Sequence, residues 1–181
     1  MEYKYKLAVV GGAGVGKSAL TMQFVEKNFV VPHKPDKEDS FWARAMIDAG
    51  MEFLEIQVFL CDDYPAMREV YKRKADGFII VYSVTSRSSF EETPLLYQEV
   101  LRSKDEDKVP VVLVGNKCDL DGEREVGEQE GKEYAATIHC PFFETSARAA
   151  INVEEAFNEL IREIRLKEEE QKRDRREQKK F

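Results

Sequence analysis

Short apolar runs alternate with longer segments of helical period along this chain. The apolar runs cover residues 6–10, 78–84, 109–114 and 141–144. Three of them are almost continuously apolar, which is typical of parallel strands buried on both faces. Strands that alternate with helices predict an α/β fold, in which helices cover both faces of a largely parallel sheet.

The segment 41–60 has a different pattern, because two extended stretches flank the turn sequence Asp48-Ala49-Gly50. This arrangement predicts a hairpin and therefore one antiparallel strand at the sheet edge. We expect about six strands in total.

The final amphipathic segment has the clearest helical period. Asn152 is placed to cap its start, with Glu155 three residues further on. Its apolar positions form one stripe that we expect to dock on the sheet: Val153, Ala156, Phe157, Leu160, Ile161 and Ile164. The stripe ends at Leu166. We therefore predict one domain over residues 1–166, followed by a charged helix extension or tail over residues 167–181.

Composition narrows the class of protein. The chain has 181 residues, 43% of them hydrophobic, which suits one domain with a full core. Its net charge of −7 argues against general binding to nucleic acid. The sequence has neither an 18-residue apolar run nor an apolar signal-peptide centre, so we expect a cytoplasmic protein. Three widely spaced cysteines, Cys61, Cys118 and Cys140, predict reduced structural thiols.

The tail has weak features for membrane binding. Residues 167–181 hold seven Lys+Arg and five Asp+Glu, a balance of 7 − 5 = +2. That excess gives little attraction to an anionic surface, and the tail has no cysteine for prenylation. We expect no stable membrane anchor.

A glycine-rich loop carries the first chemical signal. Residues 11–18 read GGAGVGKS, which fits GxxxxGK[ST], and lie between a predicted strand and a predicted helix. Such a loop points backbone N–H groups at phosphate oxygens, and the helix N-terminus adds its positive end. We expect Lys17 to reach the β- and γ-phosphates and Ser18 to ligate Mg²⁺. The predicted phosphate-binding residues are Gly12, Ala13, Gly14, Val15, Gly16, Lys17 and Ser18.

Two further motifs follow later strands, and together with the glycine-rich loop they indicate a family resemblance. Residues 116–119 read NKCD and residues 144–147 read ETSA. With these motifs in order, residues 3–166 resemble the Ras branch of the small GTPases. The resemblance implies a P-loop NTPase small G domain that binds GTP or GDP with Mg²⁺. It also implies that Asp119 recognises guanine, with further base-side roles for Phe29, Asn116, Lys117, Ser146, Ala147 and Arg148. Arg148 stands where the family usually has lysine.

The chain departs from the family in the first switch. Asp36 stands where the family has a threonine that ligates Mg²⁺ and contacts the γ-phosphate. Two interpretations stay open: Asp36 is a metal ligand that changes how the metal or triphosphate is sensed, or it is a solvated acid on a mobile loop. Downstream, Glu38, Asp39, Ser40 and Phe41 resemble the start of the strand that pairs with effector domains. A protein effector or regulator is thus expected there and at the switches, although an acidic edge that only resists aggregation is the alternative.

The second switch departs further. Where the family has DTAGQE, residues 58–63 read VFLCDD, apparently one residue shorter. The Asp that supports Mg²⁺ becomes Val58, and the phosphate-sensing Gly and water-orienting Gln have no equivalents. Ala13 also fills a place usually left to glycine. No catalytic residue is identified, although Asp62 or Asp63 is a candidate base.

Three functions fit these motifs. The first is a Ras-like guanine-nucleotide-binding signalling protein with slow or lost GTP hydrolysis. The second is a pseudo-GTPase interaction module whose switches do not depend on nucleotide. The third is an active small GTPase with a rearranged catalytic loop.

Overall fold

The computed structural model describes residues 4–27, 39–59 and 65–179. Its strands are β1 (Tyr5–Gly11), β2 (Asp39–Ile47), β3 (Gly50–Val58), β4 (Gly77–Ser83), β5 (Val111–Asn116) and β6 (Phe142–Glu144). Its α-helices are α1 (Lys17–Glu26), α2 (Pro65–Lys74), α3 (Arg87–Glu91), α4 (Thr93–Lys104), α5 (Glu128–Thr137) and α6 (Val153–Gln178). A short 3-10 helix, Asp121–Glu123, precedes α5.

The strands form a single sheet in the order β2-β3-β1-β4-β5-β6. β2 pairs antiparallel with β3, and all other neighbours are parallel. The prediction of a six-stranded, mostly parallel sheet with one antiparallel edge is therefore confirmed. The hairpin turn lies where the sequence placed it, with Asp48 at a φ of 56°.

Apolar side chains fill both faces of the sheet. One core lies under α1 and α6, where the rings of Phe24 and Phe157 stack with centroids 4.2 Å apart. The other core lies under α2, α4 and α5. β4 is buried along its whole length, as a central strand covered on both faces should be.

The start of α6 differs from the prediction in one detail. All six residues of the predicted stripe are buried, and Asn152 is the N-cap residue. However, Asn152 has a left-handed φ of 54° and its side chain makes no capping bond. Its amide Nδ2 instead donates to the carbonyl oxygen of Glu144, 2.9 Å away. The side chain therefore joins α6 to the end of β6.

Ion pairs fix the middle of α6 to the β2–β3 turn. Arg162 Nη2 lies 3.0 Å from Asp48 Oδ1, and Arg165 Nη1 lies 3.2 Å from Asp48 Oδ2. Arg165 Nη2 also lies 2.5 Å from Glu52 Oε1. Beyond residue 167 the helix continues to Gln178 with its side chains exposed. Among the residues that the structure describes, no helix is long and apolar enough to cross a membrane.

Candidate functional site

Three loops meet at the carboxyl end of the sheet. They follow β1, β5 and β6, which are parallel strands that share this edge. The loop after β1 is the glycine-rich segment, and those after β5 and β6 carry the NKCD and ETSA motifs. Open α/β sheets bind ligands in the crevice outside the carboxyl ends of their strands.

The glycine-rich loop adopts a conformation that requires glycine at its end. Gly14 and Gly16 have positive φ values of 73° and 96°. A Cβ atom on Gly16 would lie only 2.4 Å from Asn116 Nδ2, so a side chain has neither the backbone conformation nor the space. The tight turn brings the loop directly against β5.

Lys17 begins α1 and is 4% exposed. Its ammonium Nζ donates to the carbonyl oxygens of Gly11 at 2.8 Å and Gly12 at 2.7 Å. These bonds hold the positive charge inside the curl of the loop. Ser18 follows in the first turn of α1 and is half-buried. With no side-chain cap at Gly16, the N-terminal N–H groups of α1 suit an anion.

Asn116 joins all three loops. It is 1% exposed, and its Nδ2 donates to the carbonyl oxygen of Val15 at 3.0 Å. Its Oδ1 accepts a hydrogen bond from Thr145 Oγ1, also at 3.0 Å. One buried amide therefore sets the glycine-rich loop against both later motifs.

Lys117 adds a second contact between the loops. It has a φ of 64°, and its Nζ donates to the carbonyl oxygen of Gly14 at 2.7 Å. Its half-buried side chain thus crosses from the β5 loop to the glycine-rich loop.

Asp119 is exposed, but one of its carboxylate oxygens is fixed. Ser146 Oγ donates to Asp119 Oδ1 at 2.7 Å and accepts a hydrogen bond from the backbone N–H of Ala149 at 2.9 Å. Ala147 is buried beside Ser146, whereas Arg148 is exposed. The arrangement presents an oriented carboxylate to the crevice, which is the chemistry that paired N–H donors of a ligand require.

Sequence reasoning missed Arg124. Its Nη1 and Nη2 lie 2.6 and 3.0 Å from the two carboxylate oxygens of Glu144, and its Nε lies 2.8 Å from Asp121 Oδ1. These two carboxylates raise the pKa of Arg124. The residue therefore clamps the segment after NKCD to the first residue of ETSA. The sequence signal for Arg124 was Glu144, the acidic first residue of ETSA, because its carboxylate needs a cationic partner.

The end of β3 is apolar where the family has a carboxylate that supports Mg²⁺. Val58 is fully buried, and Phe59 is 3% exposed. The backbone N–H of Phe59 donates to the carbonyl oxygen of Val9, and its ring centroid lies 6.1 Å from that of Tyr71. Neither side chain offers oxygen to a metal. Within residues 4–27, 39–59 and 65–179, no group of three His, Cys, Asp or Glu residues is suited to a metal ion.

Several predicted site residues lie outside the described residues. They are Phe29, Asp36, Glu38 and residues 60–63, which include Cys61, Asp62 and Asp63. Of the predicted effector strand, the backbone of Asp39 begins β2, the edge strand of the sheet. Ser40 is exposed and donates to Gln57 Oε1 at 2.5 Å, and Phe41 packs against the core under α1 and α6.

Burial affects the thiols of the two described cysteines. Cys118 and Cys140 are both free. Burial raises the pKa of the Cys140 thiol to about 12 and also raises the pKa of Cys118. A thiol that stays protonated is a poor nucleophile.

Comparisons with known proteins agree with the order of the motifs. The model of the Ras family matches residues 6–166. The chain is 50% identical to the Ras-like protein rasB of Dictyostelium discoideum over 163 residues, which cover 90% of this chain and 83% of that protein. Both findings confirm the Ras-like resemblance and the small G domain fold. The chain therefore belongs to the Ras family of GTP-binding signalling proteins.

Proposed function

We propose that the site at the carboxyl end of the sheet binds GDP or GTP with Mg²⁺, and that GTP hydrolysis is slow or lost. The observation that supports binding is the set of hydrogen bonds from Asn116 and Lys117 to the glycine-rich loop. These bonds hold the proposed phosphate and base subsites in a fixed relation to each other.

The base subsite suits guanine. Asp119, oriented by Ser146, offers two acceptor oxygens to the guanine N1–H and exocyclic amine. Adenine leaves that carboxylate without donors, so we expect strong discrimination against ATP. Asp119→Asn should reduce the preference for guanine and admit xanthine nucleotides, because the new amide supplies a donor.

The metal subsite is partly present. Ser18, in the first turn of α1, is the described residue that would hold Mg²⁺ together with phosphate oxygens. When bound, the ion would neutralise charge on the β- and γ-phosphates. Val58 cannot support it as an aspartate would, because its side chain is apolar and fully buried.

Slow hydrolysis follows from what surrounds the γ-phosphate position. Phosphoryl transfer depends on positioning and electrostatic stabilisation, so it fails when the attacking water is not aligned. The family glutamine and glycine are absent from residues 58–63, and Val58 replaces the metal-supporting acid. Ala13, exposed in the glycine-rich loop, adds a methyl group beside the same phosphate.

The nucleotide retained after gentle purification tests this function. GTP supports slow hydrolysis, GDP favours an active enzyme with a rearranged loop, and no nucleotide favours an empty scaffold. A single-turnover phosphate-release assay then measures the rate, with Asp62→Ala and Asp63→Ala as variants. Rapid release that either variant abolishes would contradict slow hydrolysis and identify the catalytic base.

One observation favours a second candidate, an interaction module whose surfaces do not respond to nucleotide. α2, which follows the second switch, is held on α4 by an ion pair between Lys72 and Glu99. Equal binding of a protein partner to the GDP and GTP states would support this candidate. Strong preference for one state would support the signalling switch.

We propose that a protein partner binds at β2, the edge strand of the sheet among the described residues. Residues 38–41 supply an acidic start and Phe41, and an edge strand offers backbone groups for an added strand.

We further propose that the domain ends near residue 166, because α6 is exposed along its last turns. Truncation after residue 166 should then leave nucleotide binding unchanged.

A further inference from the structure

A lysine is buried between two helices next to the second switch. Lys72 lies in the last part of α2 and is only 7% exposed. Lysine is almost never buried unless it is paired. Here Nζ lies 3.2 Å from Glu99 Oε2 on α4 and 3.8 Å from Glu69 Oε1 one turn earlier on α2. The charge therefore sits between an acid of its own helix and an acid of the neighbouring helix.

Three more hydrogen bonds tie α2 and the residue after it to α4. Glu69 Oε2 accepts a hydrogen bond from Ser103 Oγ at 3.0 Å. Lys104, the last residue of α4, donates from Nζ to the carbonyl oxygens of Arg73 at 2.9 Å and Ala75 at 2.7 Å. The contacts on α2 thus extend from its second turn to its end.

These contacts restrict movement in a way that apolar packing does not. Apolar contact is non-directional, so apolar packing holds two helices through shape and not through particular pairs of atoms. Hydrogen bonds and ion pairs need particular distances and angles, so a shift of α2 would separate the Lys72 ammonium from Glu69 and Glu99, whose side chains are about half exposed. Sliding or rotating α2 would break the contacts of Lys72, Glu69 and Lys104 together.

The chain also has few means to drive such a movement. A ligand shifts a conformational equilibrium only by the difference in its affinity for the two states. Residues 58–63 lack the glycine that senses the γ-phosphate in the family. The difference between GDP and GTP therefore supplies little free energy to move α2. We propose that Lys72 locks α2 onto α4, and that α2 keeps one position whether GDP or GTP is bound. This inference rests on the proposed nucleotide binding, but the lock itself is independent of it.

Hydrogen exchange of the α2 peptide, residues 65–75, tests the lock in the full-length protein. The unmodified protein is measured with GDP and with a non-hydrolysable GTP analogue, and the bound nucleotide is identified by chromatography. We expect exchange in the two states to agree within about twofold. In Lys72→Met, which keeps the apolar stem but removes the charge, α2 should exchange about tenfold faster as local opening becomes easier.

Lys74→Met is the matched control, because Lys74 lies on the same helix and is exposed. It should leave α2 exchange unchanged. In a double-mutant cycle with Glu99→Gln, the effects of Lys72→Met and Glu99→Gln on α2 exchange should not add, which a loss of packing alone would not explain. Unchanged exchange in Lys72→Met, or a clear difference between the nucleotide states of the unmodified protein, overturns the proposal. If no guanine nucleotide is retained, the proposed function fails, while Lys72→Met still decides whether the lock exists.

Discussion

Replacing Asn116 with alanine should separate the three loops of the nucleotide site. The substitution removes the donor to the carbonyl oxygen of Val15 and the acceptor for Thr145 Oγ1. Val15 is 1% exposed and Thr145 is fully buried, so water does not readily replace the lost partners. A buried polar group without a partner costs about 1–3 kcal/mol, or about 2–6 kcal/mol for the pair.

The smaller side chain lets the loops relax, which relieves part of that cost. We therefore expect the free energy of nucleotide binding to weaken by about 2–4 kcal/mol. Because every 1.4 kcal/mol is tenfold, GDP should dissociate about 30- to 1,000-fold faster. The assay is the release of a fluorescent GDP analogue into excess unlabelled GDP. Thr145→Val removes only one of the two bonds and should have a smaller effect.

Asn152→Ala is the matched control. It also removes an amide donor to a backbone carbonyl, at 2.9 Å, but from an exposed side chain outside the predicted nucleotide contacts. It should change GDP dissociation by less than about threefold. If Asn116→Ala releases GDP no faster than Asn152→Ala while its thermal unfolding stays cooperative, the three loops do not depend on this amide.

Three further predictions concern neighbouring parts of the domain. Arg124→Gln and Glu144→Gln should each speed GDP release by about tenfold in the same assay, because the clamp between two base-side loops is lost. Gly16→Ala should weaken GDP binding measured by calorimetry, whereas Gly122→Ala, with nothing within 4 Å of its added Cβ, should not. Burial raises the pKa of the Cys140 thiol to about 12 in the folded protein, against an ordinary 9.0. The free energy of unfolding should therefore fall as pH rises above 9.0, because the unfolded chain loses this proton first. In urea unfolding, Cys140→Ala should remove the part of this fall that the thiol causes.

The sheet and its helices were predictable because their signals are local and repeated. Continuous apolar runs gave the buried strands, and the stripe from Val153 to Ile164 gave the docked face of α6. The turn at Asp48 also lies where its sequence placed it. Each of these signals spans only a few residues, so one sequence is enough to detect it.

The phosphate and base motifs were predictable for a different reason. The glycine-rich loop fits a phosphate-binding pattern between a strand and a helix, and that pattern identified Lys17. Asn116 and Asp119 were identified by the resemblance to the small GTPases, because NKCD taken alone is also a common kind of turn sequence. Neither the pattern nor the resemblance identified the contact of Lys17 with Gly11 and Gly12, because loop carbonyls carry no sequence signal.

The paired charges were not predictable, because their partners are distant in the chain. Arg124 and Glu144 are 20 residues apart, and Lys72 and Glu99 are 27 apart. Each looks like an ordinary surface charge in its own segment, and only the packing of two elements brings it to its partner. The capping bond predicted for the Asn152 side chain is also absent. Its left-handed backbone turns the amide away from the helix end that it was expected to cap.

The two halves of the proposed function depend on different strands, which explains how one can persist without the other. The binding loops follow β1, β5 and β6 and are joined by Asn116 and Lys117, whereas the altered catalytic segment follows β3. β3 is joined to β1 by a parallel ladder in which Val58 pairs with Val9, close to the start of the phosphate loop. A buried valine there contributes about 1.5–3 kcal/mol of apolar burial, while an aspartate would need a metal or hydrogen bonds to offset its desolvation. Val58 therefore suits the sheet beneath the phosphate loop without supporting a metal, so the proposed slow hydrolysis would not require the loss of the contacts that join the binding loops.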